Sequence, residues 1–281
     1  MKTRKLTTQR IIDYTRHLQS EERAPATVEK YCRDIAAFNG WLAERTVTKE
    51  RITRWKDHLL EQGLSPATVN SKISAVNGLL SFLGWRECRV KFLRIQRRLF
   101  REKRRELTRQ EYERLVETAQ GLGRKRLALL LETICSTGIR VSEVRYITVE
   151  AAQAGQAVVC LKGKIRIILL SRKLCRKLLK YAWKTKTASG EIFLTRSGSG
   201  LSRKQIWQEM KSLCVWAGVE PSKVFPHNLR HLFAVIFYRA SRDLVKLADT
   251  LGHSSVETTR IYLLSSAAEH AKCLERLRLV Q

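Results

Sequence analysis

The chain has 281 residues, 44% of them hydrophobic, enough to build one large domain or two ordinary ones, and its four prolines argue against an extensively disordered polymer. No apolar run approaches the roughly 20 residues of a membrane span, and the basic start MKTRKLTTQR runs into a segment broken by charge, without the apolar stretch of a secretory signal. Fifty-four Lys plus Arg against 26 Asp plus Glu leave a net charge of +28, of which +12 falls in residues 1–104 and +16 in the rest, so two cationic halves, not a basic tail, point to a polyanionic partner, nucleic acid first, in a cytoplasmic setting.

Thr7 and Thr8 introduce a first helix over QRIIDYTRHLQ. A second opens with Pro25 in its first turn and repeats apolar residues at Val28, Tyr31, Cys32, Ile35, Phe38 and Leu42 with a 3.6-residue period. KERITRWKDHLLEQG buries Ile52, Trp55 and Leu59 and stops at Gly63. Ser65 caps and Pro66 opens a fourth helix, SPATVNSKISAVNGLLSFLG. The recurrence of PATV at 25–28 and 66–69 is two copies of a good helix start, since nothing downstream matches. Residues 1–92 therefore read as an N-terminal four-helix domain.

Seven of the twelve residues from Arg94 to Arg105 are basic. Between two basic domains that run reads as a linker, residues 93–106, crossing a phosphate backbone, with a solvated helix face as the alternative. The second domain, residues 107–281, opens with LTRQEYERLV, where Thr108 and Glu111 have capping-box spacing, and continues in the helix RKRLALLLETICSTG. The texture then changes. AVVCLKGKIRIILL is two β-rich runs around Lys-Gly-Lys, a hairpin, and GEIFLT at 190–195 is a candidate further strand. Helices resume in SRKQIWQEMKSLCVWAG, PHNLRHLFAVIFYRA and DLVKLADTLG, and the chain closes on the amphipathic AAEHAKCLERLRLV. The expected fold class is mainly α in two domains, the second mixed α/β with a small antiparallel sheet. Seven scattered cysteines, odd in number and never spaced Cys-x-x-Cys, suit free thiols in a reducing compartment better than a zinc site or disulfide frame.

Three boxes in the second domain carry chemistry: TGIRVSEV at 137–144, PHNLRHLF at 226–233 and LGHSSVETTRIY at 251–262. With the lysine-tipped hairpin they supply Arg140, Lys162 or Lys164, His227, Arg230, His253 and Tyr262. These groups can handle a phosphodiester without a metal. A phenol of pKa about 10 needs a base or a cationic field to become a nucleophile. Paired guanidiniums grip non-bridging oxygens bidentately, an ammonium can protonate the leaving oxygen, and imidazoles can shuttle the nucleophile's proton. Taken singly, each is ordinary: Arg140 could end a helix, His227 could be a polar first-turn residue, and Tyr262 could be a packed aromatic.

TGIRVSE, HNLRH and LGHSS…Y, in this order and with nine residues from His253 to Tyr262, resemble the signature boxes of the tyrosine recombinases, the integrase family. The likeness runs from about residue 107 to Tyr262, and the N-terminal bundle is similar to the family's core-binding domain. The resemblance implies that Tyr262 attacks the scissile phosphate to give a 3′-phosphotyrosyl link, that Arg140 and Arg230 bind the phosphate, and that Lys162 protonates the 5′-oxygen. It implies His227 as base toward Tyr262, His253 as a hydrogen-bonding partner of the phosphate, and Glu143 as a residue orienting a neighbour. His231, in the same box, is left a packing role. The family's hairpin usually continues to Lys-x-Arg and a proline; here it is shorter and Leu169 stands at the proline's place, which leaves Lys164 as the alternative acid.

The implied activity is site-specific cutting and rejoining of double-stranded DNA by a dimer or tetramer on paired sites, in integration, excision or dimer resolution. No cofactor and no metal is implied; a second recombinase or an accessory protein is left open as a further partner. Two other readings fit the same residues: a type IB-like topoisomerase, which would relax supercoils without site preference, and a DNA-binding protein of this fold without catalysis.

Overall fold

The computed structural model describes residues 4–95, 106–161, 164–253, 255–260, 262 and 275. The chain divides into two compact units, Met1–Arg97 and Arg98–Gln281.

The first unit is helical, with α1 (Thr8–Ser20), α2 (Pro25–Leu42), α3 (Lys49–Glu61) and α4 (Pro66–Phe82). Three starts are fixed by hydroxyls: Thr7, Thr48 and Ser65 each accept from the backbone N–H three residues on. The fourth begins on Pro25, whose missing N–H would have had no intrahelical partner there. Phe38 and Trp55, with ring centroids 4.9 Å apart, pack in one cluster with Ile52, Val69, Ile73 and Val76. Gly63 takes φ +75 just beyond α3, as its place in the sequence suggested. One face of α4 carries two asparagines that serve as a strand edge. Asn77 donates to the Val90 carbonyl at 2.9 Å and accepts from the Val90 N–H at 3.2 Å; Asn70 does the same with Leu93 at 2.9 and 2.7 Å. The segment that follows α4 is thereby held along the helix with its backbone groups satisfied. The basic run read as a linker falls mostly on residues 96–105, outside the described residues.

In the second unit come α5 (Arg109–Gly121), α6 (Lys125–Thr137), α7 (Val149–Ala154), β1 (Gln156–Leu161), β2 (Lys164–Leu169), α8 (Arg172–Lys184), α9 (Arg203–Ala217), α10 (Pro226–Ser241), α11 (Leu244–Leu251) and α12 (Val256–Arg260). The expected capping box opens α5: Thr108 Oγ1 accepts from the Glu111 N–H at 3.2 Å and the Glu111 carboxylate accepts from the Thr108 N–H at 2.8 Å. Helix α6 is the buried centre, packed against α5, α8 and α10. Leu127, Leu130, Leu131 and Ile134 supply its apolar surface. A two-stranded antiparallel sheet pairs Val159 with Arg166 and Ala157 with Ile168. Ala157, Val159 and Ile168 are buried, whereas Val158, Ile165, Ile167 and Leu169 are exposed, so alternate residues face opposite sides of the ribbon.

Two sequence expectations change here. GEIFLT does not form a strand: it makes only isolated bridges, Thr148 with Glu191 and Leu194 with Gly200. Its backbone is used locally instead. Gly190 accepts from the Val149 N–H, the Ile192 N–H donates to Ile147, and Thr195 closes a tight loop by donating to Ser199. Helix α8, which the sequence reading passed over, has its apolar stripe at Leu174, Cys175, Leu178 and Ala182 among six basic side chains. The closing amphipathic segment lies outside the described residues apart from Glu275. None of the helices among the described residues is long and apolar enough to cross a membrane.

Candidate active site

The candidate groups sit where helices end. Helix α6 terminates on Gly138, whose φ of +63 suits the left-handed cap and whose Cα lies so close to the Phe233 ring that a Cβ would collide with it. The chain then enters a 3-10 turn over Val141–Tyr146, with Arg140 at its head. Glu143 holds that turn: one carboxylate oxygen accepts from the Arg140 backbone N–H at 2.8 Å, and the other accepts from Arg140 Nη1 at 2.9 Å. Glu143 is 1% exposed, and the Arg140 side chain 41%, so an anchored guanidinium is left open to solvent. Gly252, also at φ +63, ends α11 and hands the chain to His253. Pro226 starts α10, placing His227 in its first turn and Arg230 one turn further in.

Arg230 is 2% exposed and ties three boxes together. Its Nη1 donates to the Gly138 carbonyl at 2.5 Å, and its Nη2 donates to the Leu251 carbonyl at 2.8 Å and to His253 Nε2 at 2.9 Å. Because a guanidinium only donates, Nε2 is the acceptor and the His253 proton sits on Nδ1, which meets Thr259 Oγ1 at 2.8 Å. Burial, then Arg230, Arg140, Arg166 and His227, push the His253 pKa down to about 4. Burial likewise lowers the Arg230 pKa, against a raising hydrogen bond with Tyr262.

Tyr262 is 4% exposed and lies among three imidazoles: ring centroids are 5.8 Å away for His227, 5.4 Å for His231 and 5.8 Å for His253, the last stacked at 10°. The apolar side of its ring belongs to a small cluster with Ala234, Leu247 and Leu251. Thus the structure brings together Arg140, His227, Arg230, His253 and Tyr262. Lys162 lies outside the described residues; Lys164, the alternative acid, begins β2. Among the described residues no cluster of His, Cys, Asp or Glu could hold a metal ion.

Three groups go beyond the sequence reading. His231 does pack, but its packing partner is Tyr262, and its Nε2 lies 3.7 Å from Glu106. Thr259 Oγ1 accepts the Nδ1 proton of the His253 tautomer that Arg230 selects. Arg166 donates Nη2 to Glu143 at 3.0 Å and Nη1 to the Leu251 carbonyl. Its signal was present: a lone arginine, paired with the inward-facing Val159, in the otherwise apolar run IRIILL.

Because the His253 pKa is depressed, His253 is neutral from about pH 5 upward in the free protein. Its ordinary value is 6.5, so the unfolded chain binds the proton more tightly. The stability linked to the neutral ring is complete above pH 6.5 and is lost as pH falls toward about 4. An NMR titration of the His253 ring is expected to show a midpoint well below that of an ordinary histidine; a midpoint at 6.5 or above would contradict the hydrogen-bonding just described.

The sequence model described as Phage integrase family matches residues 105–269, and that described as Phage integrase, N-terminal SAM-like domain, matches residues 11–87. The chain is similar to the tyrosine recombinase XerD of Caulobacter vibrioides, with 30% identity over 286 residues and 90% of each chain covered. Its fold is similar to that of the XerH site-specific recombinase bound to difH substrate, with a TM-score of 0.69, 19% identity, and 95% of this chain and 84% of that one covered. It is also similar to a lambda integrase tetramer bound to a Holliday junction, with a TM-score of 0.74, 18% identity, and coverage of 93% and 78%.

Proposed function

This chain belongs to the phage integrase family and is a tyrosine-type site-specific DNA recombinase, and on that premise we propose that Tyr262 is its nucleophile. The observation that carries the proposal is the setting of Tyr262, within 6 Å ring to ring of His227, His231 and His253 and beside the guanidinium of Arg230.

The Tyr262 oxygen attacks the scissile phosphorus while the P–O5′ bond breaks. The phenol's proton passes to His227, exposed at the start of α10, and Lys162 protonates the departing 5′-oxygen. Arg140 and Arg230 take the non-bridging oxygens as charge develops on them, their cations standing in place beforehand. His253 enters as an acceptor from Arg230. To donate to a phosphate oxygen it must take up a second proton, on Nε2, which an approaching anion favours by raising the ring's pKa. Since the phosphotyrosyl bond conserves the energy of the broken one, the reverse attack by a 5′-hydroxyl reseals the strand without ATP, and the cycle needs neither metal nor cofactor.

Two domains, residues 1–92 and 107–281 joined by the basic stretch 93–106, both engage duplex DNA, and the chain assembles as a tetramer on paired sites in the cytoplasm. With a net charge of +28, affinity for DNA should fall steeply with salt. If six or more phosphates are neutralised, about 10³-fold is lost between 50 and 200 mM salt. A titration by fluorescence anisotropy checks this, and a flat salt profile would contradict a binding mode built on phosphate contacts.

The reading is tested by incubating the protein with fragmented DNA from its source in EDTA, denaturing, and sequencing the ends of protein-linked fragments. Ends that recur at one inverted-repeat site are the expected result. Ends scattered without preference would establish the topoisomerase reading instead, and a strict requirement for Mg²⁺ would contradict the mechanism.

A further inference from the structure

We infer that Arg166, outside the assigned set of six, is a positioning residue for strand cleavage: it fixes Arg140 through Glu143 and fixes the loop that carries His253 through the Leu251 carbonyl. The inference rests on the recombinase reading above.

Arg166 projects from β2 opposite Val159, with its side chain 14% exposed. One end of its guanidinium donates to Glu143 Oε2 at 3.0 Å, the oxygen that also accepts from the Arg140 backbone N–H, while the other Glu143 oxygen holds Arg140 Nη1. The other end donates to the Leu251 carbonyl, which also accepts from Arg230 Nη2 at 2.8 Å. A single planar fork thus joins the carboxylate that orients Arg140 to the carbonyl shared with Arg230, groups that lie 23 and 85 residues from Arg166 in sequence.

The loop itself is shaped around this side chain. A Cβ on Gly252 would lie 2.5 Å from Arg166 Cδ and 2.7 Å from its Nη1, so the glycine before His253 serves close approach as well as a positive φ. Arg140 Nη2 reaches the Gly252 carbonyl at 3.4 Å. The arrangement does not favour Arg166 for its own sake. Its Nε is buried without a hydrogen-bond partner, and two guanidiniums, those of Arg140 and Arg166, share one carboxylate. Such a cluster costs stability in the free protein and suits an incoming phosphodiester. Lysine, a point donor, can satisfy Glu143 or Leu251 but not both.

The test uses the full chain and the duplex recovered from covalent trapping, nicked so that the adduct accumulates. Wild type, Arg166→Met, Arg166→Lys, Arg140→Lys and the double variant R140K/R166M are compared for duplex affinity, thermal midpoint and single-turnover adduct formation. Arg166→Met should form adduct on the order of 10²-fold more slowly while binding the duplex within about threefold of wild type, since positioning acts on the reaction more than on binding. The loss in the double variant should fall well short of the product of the two single losses, because part of the effect of Arg166 runs through Arg140. Should Arg166→Met fail to fold, Arg166→Lys carries the test, with at least about a tenfold loss of rate expected. The inference is overturned if either folded Arg166 variant cleaves within about threefold of wild type, if affinity falls in step with rate, or if the two losses multiply in the double variant. A wild-type protein that forms no adduct would sink the recombinase reading itself, a result distinct from all of these.

Discussion

Tyr262→Phe is expected to abolish covalent adduct formation, a loss on the order of 10⁴-fold or more, with duplex affinity nearly unchanged. The substitution removes one oxygen and keeps the ring. The ring's apolar contacts with Ala234, Leu247 and Leu251 and its stacking on His253 should persist, so the fold around the site should too. Arg230 loses one hydrogen bond but retains the Gly138 and Leu251 carbonyls and His253 Nε2, which limits the cost in stability to about 1 kcal/mol. Gel-resolved adduct on a nicked duplex, with anisotropy for binding, separates the two effects. Adduct retained at anything near the wild-type rate would remove Tyr262 from the mechanism and return it to the packed aromatic that a lone tyrosine most often is.

Arg230→Lys should differ from that variant by damaging both the reaction and the fold. Arg230 is the buried hub at which the end of α6, the end of α11 and His253 meet. An ammonium keeps the charge but cannot reach two carbonyls and an imidazole that lie around a planar fork. At least one carbonyl would be left buried and unpaired, costing about 1–3 kcal/mol, and the thermal midpoint should drop with it. Cleavage should fall on the order of 10³-fold, because a phosphate ligand and the anchor of His253 are lost together. Arg140→Lys provides the contrast. With its side chain 41% exposed, it should cost rate with little change in melting. Equal melting of wild type and Arg230→Lys would contradict the structural half of this account.

How much of this could be read from the sequence depends on the distance over which each feature is encoded. Helix starts are local: Thr7, Ser65 and Thr108 cap their own helices within three residues, and all three were legible. The boxes were legible because each compresses several functional groups into a few residues at a helix end. Arg166 showed only as a lone charge in an apolar strand, and its role was not legible, since that arises only when β2 comes beside the 3-10 turn and the end of α11, 23 and 85 residues away in the chain. The same holds for His231, whose neighbour Tyr262 is brought to it by folding. GEIFLT misled for the opposite reason. Its short apolar run is real, and Ile192 and Phe193 are buried, but its partners lie in the Ile147–Val149 segment and in its own loop, which give bridges and not a ladder. Helix α8 was passed over although its period is regular, because its basic side chains hide a narrow apolar stripe.

The central claim, that strand breakage proceeds through Tyr262 without a metal, is tested most directly by identifying the amino acid joined to DNA. Adduct formed in EDTA would be digested with protease and nuclease, and the nucleotide-bearing peptide sequenced by mass spectrometry. The account predicts a 3′-phosphate esterified to the Tyr262 oxygen, in a peptide spanning the end of LGHSSVETTRIY. A nucleotide on any other residue, or adduct that forms only when Mg²⁺ is restored, would contradict it.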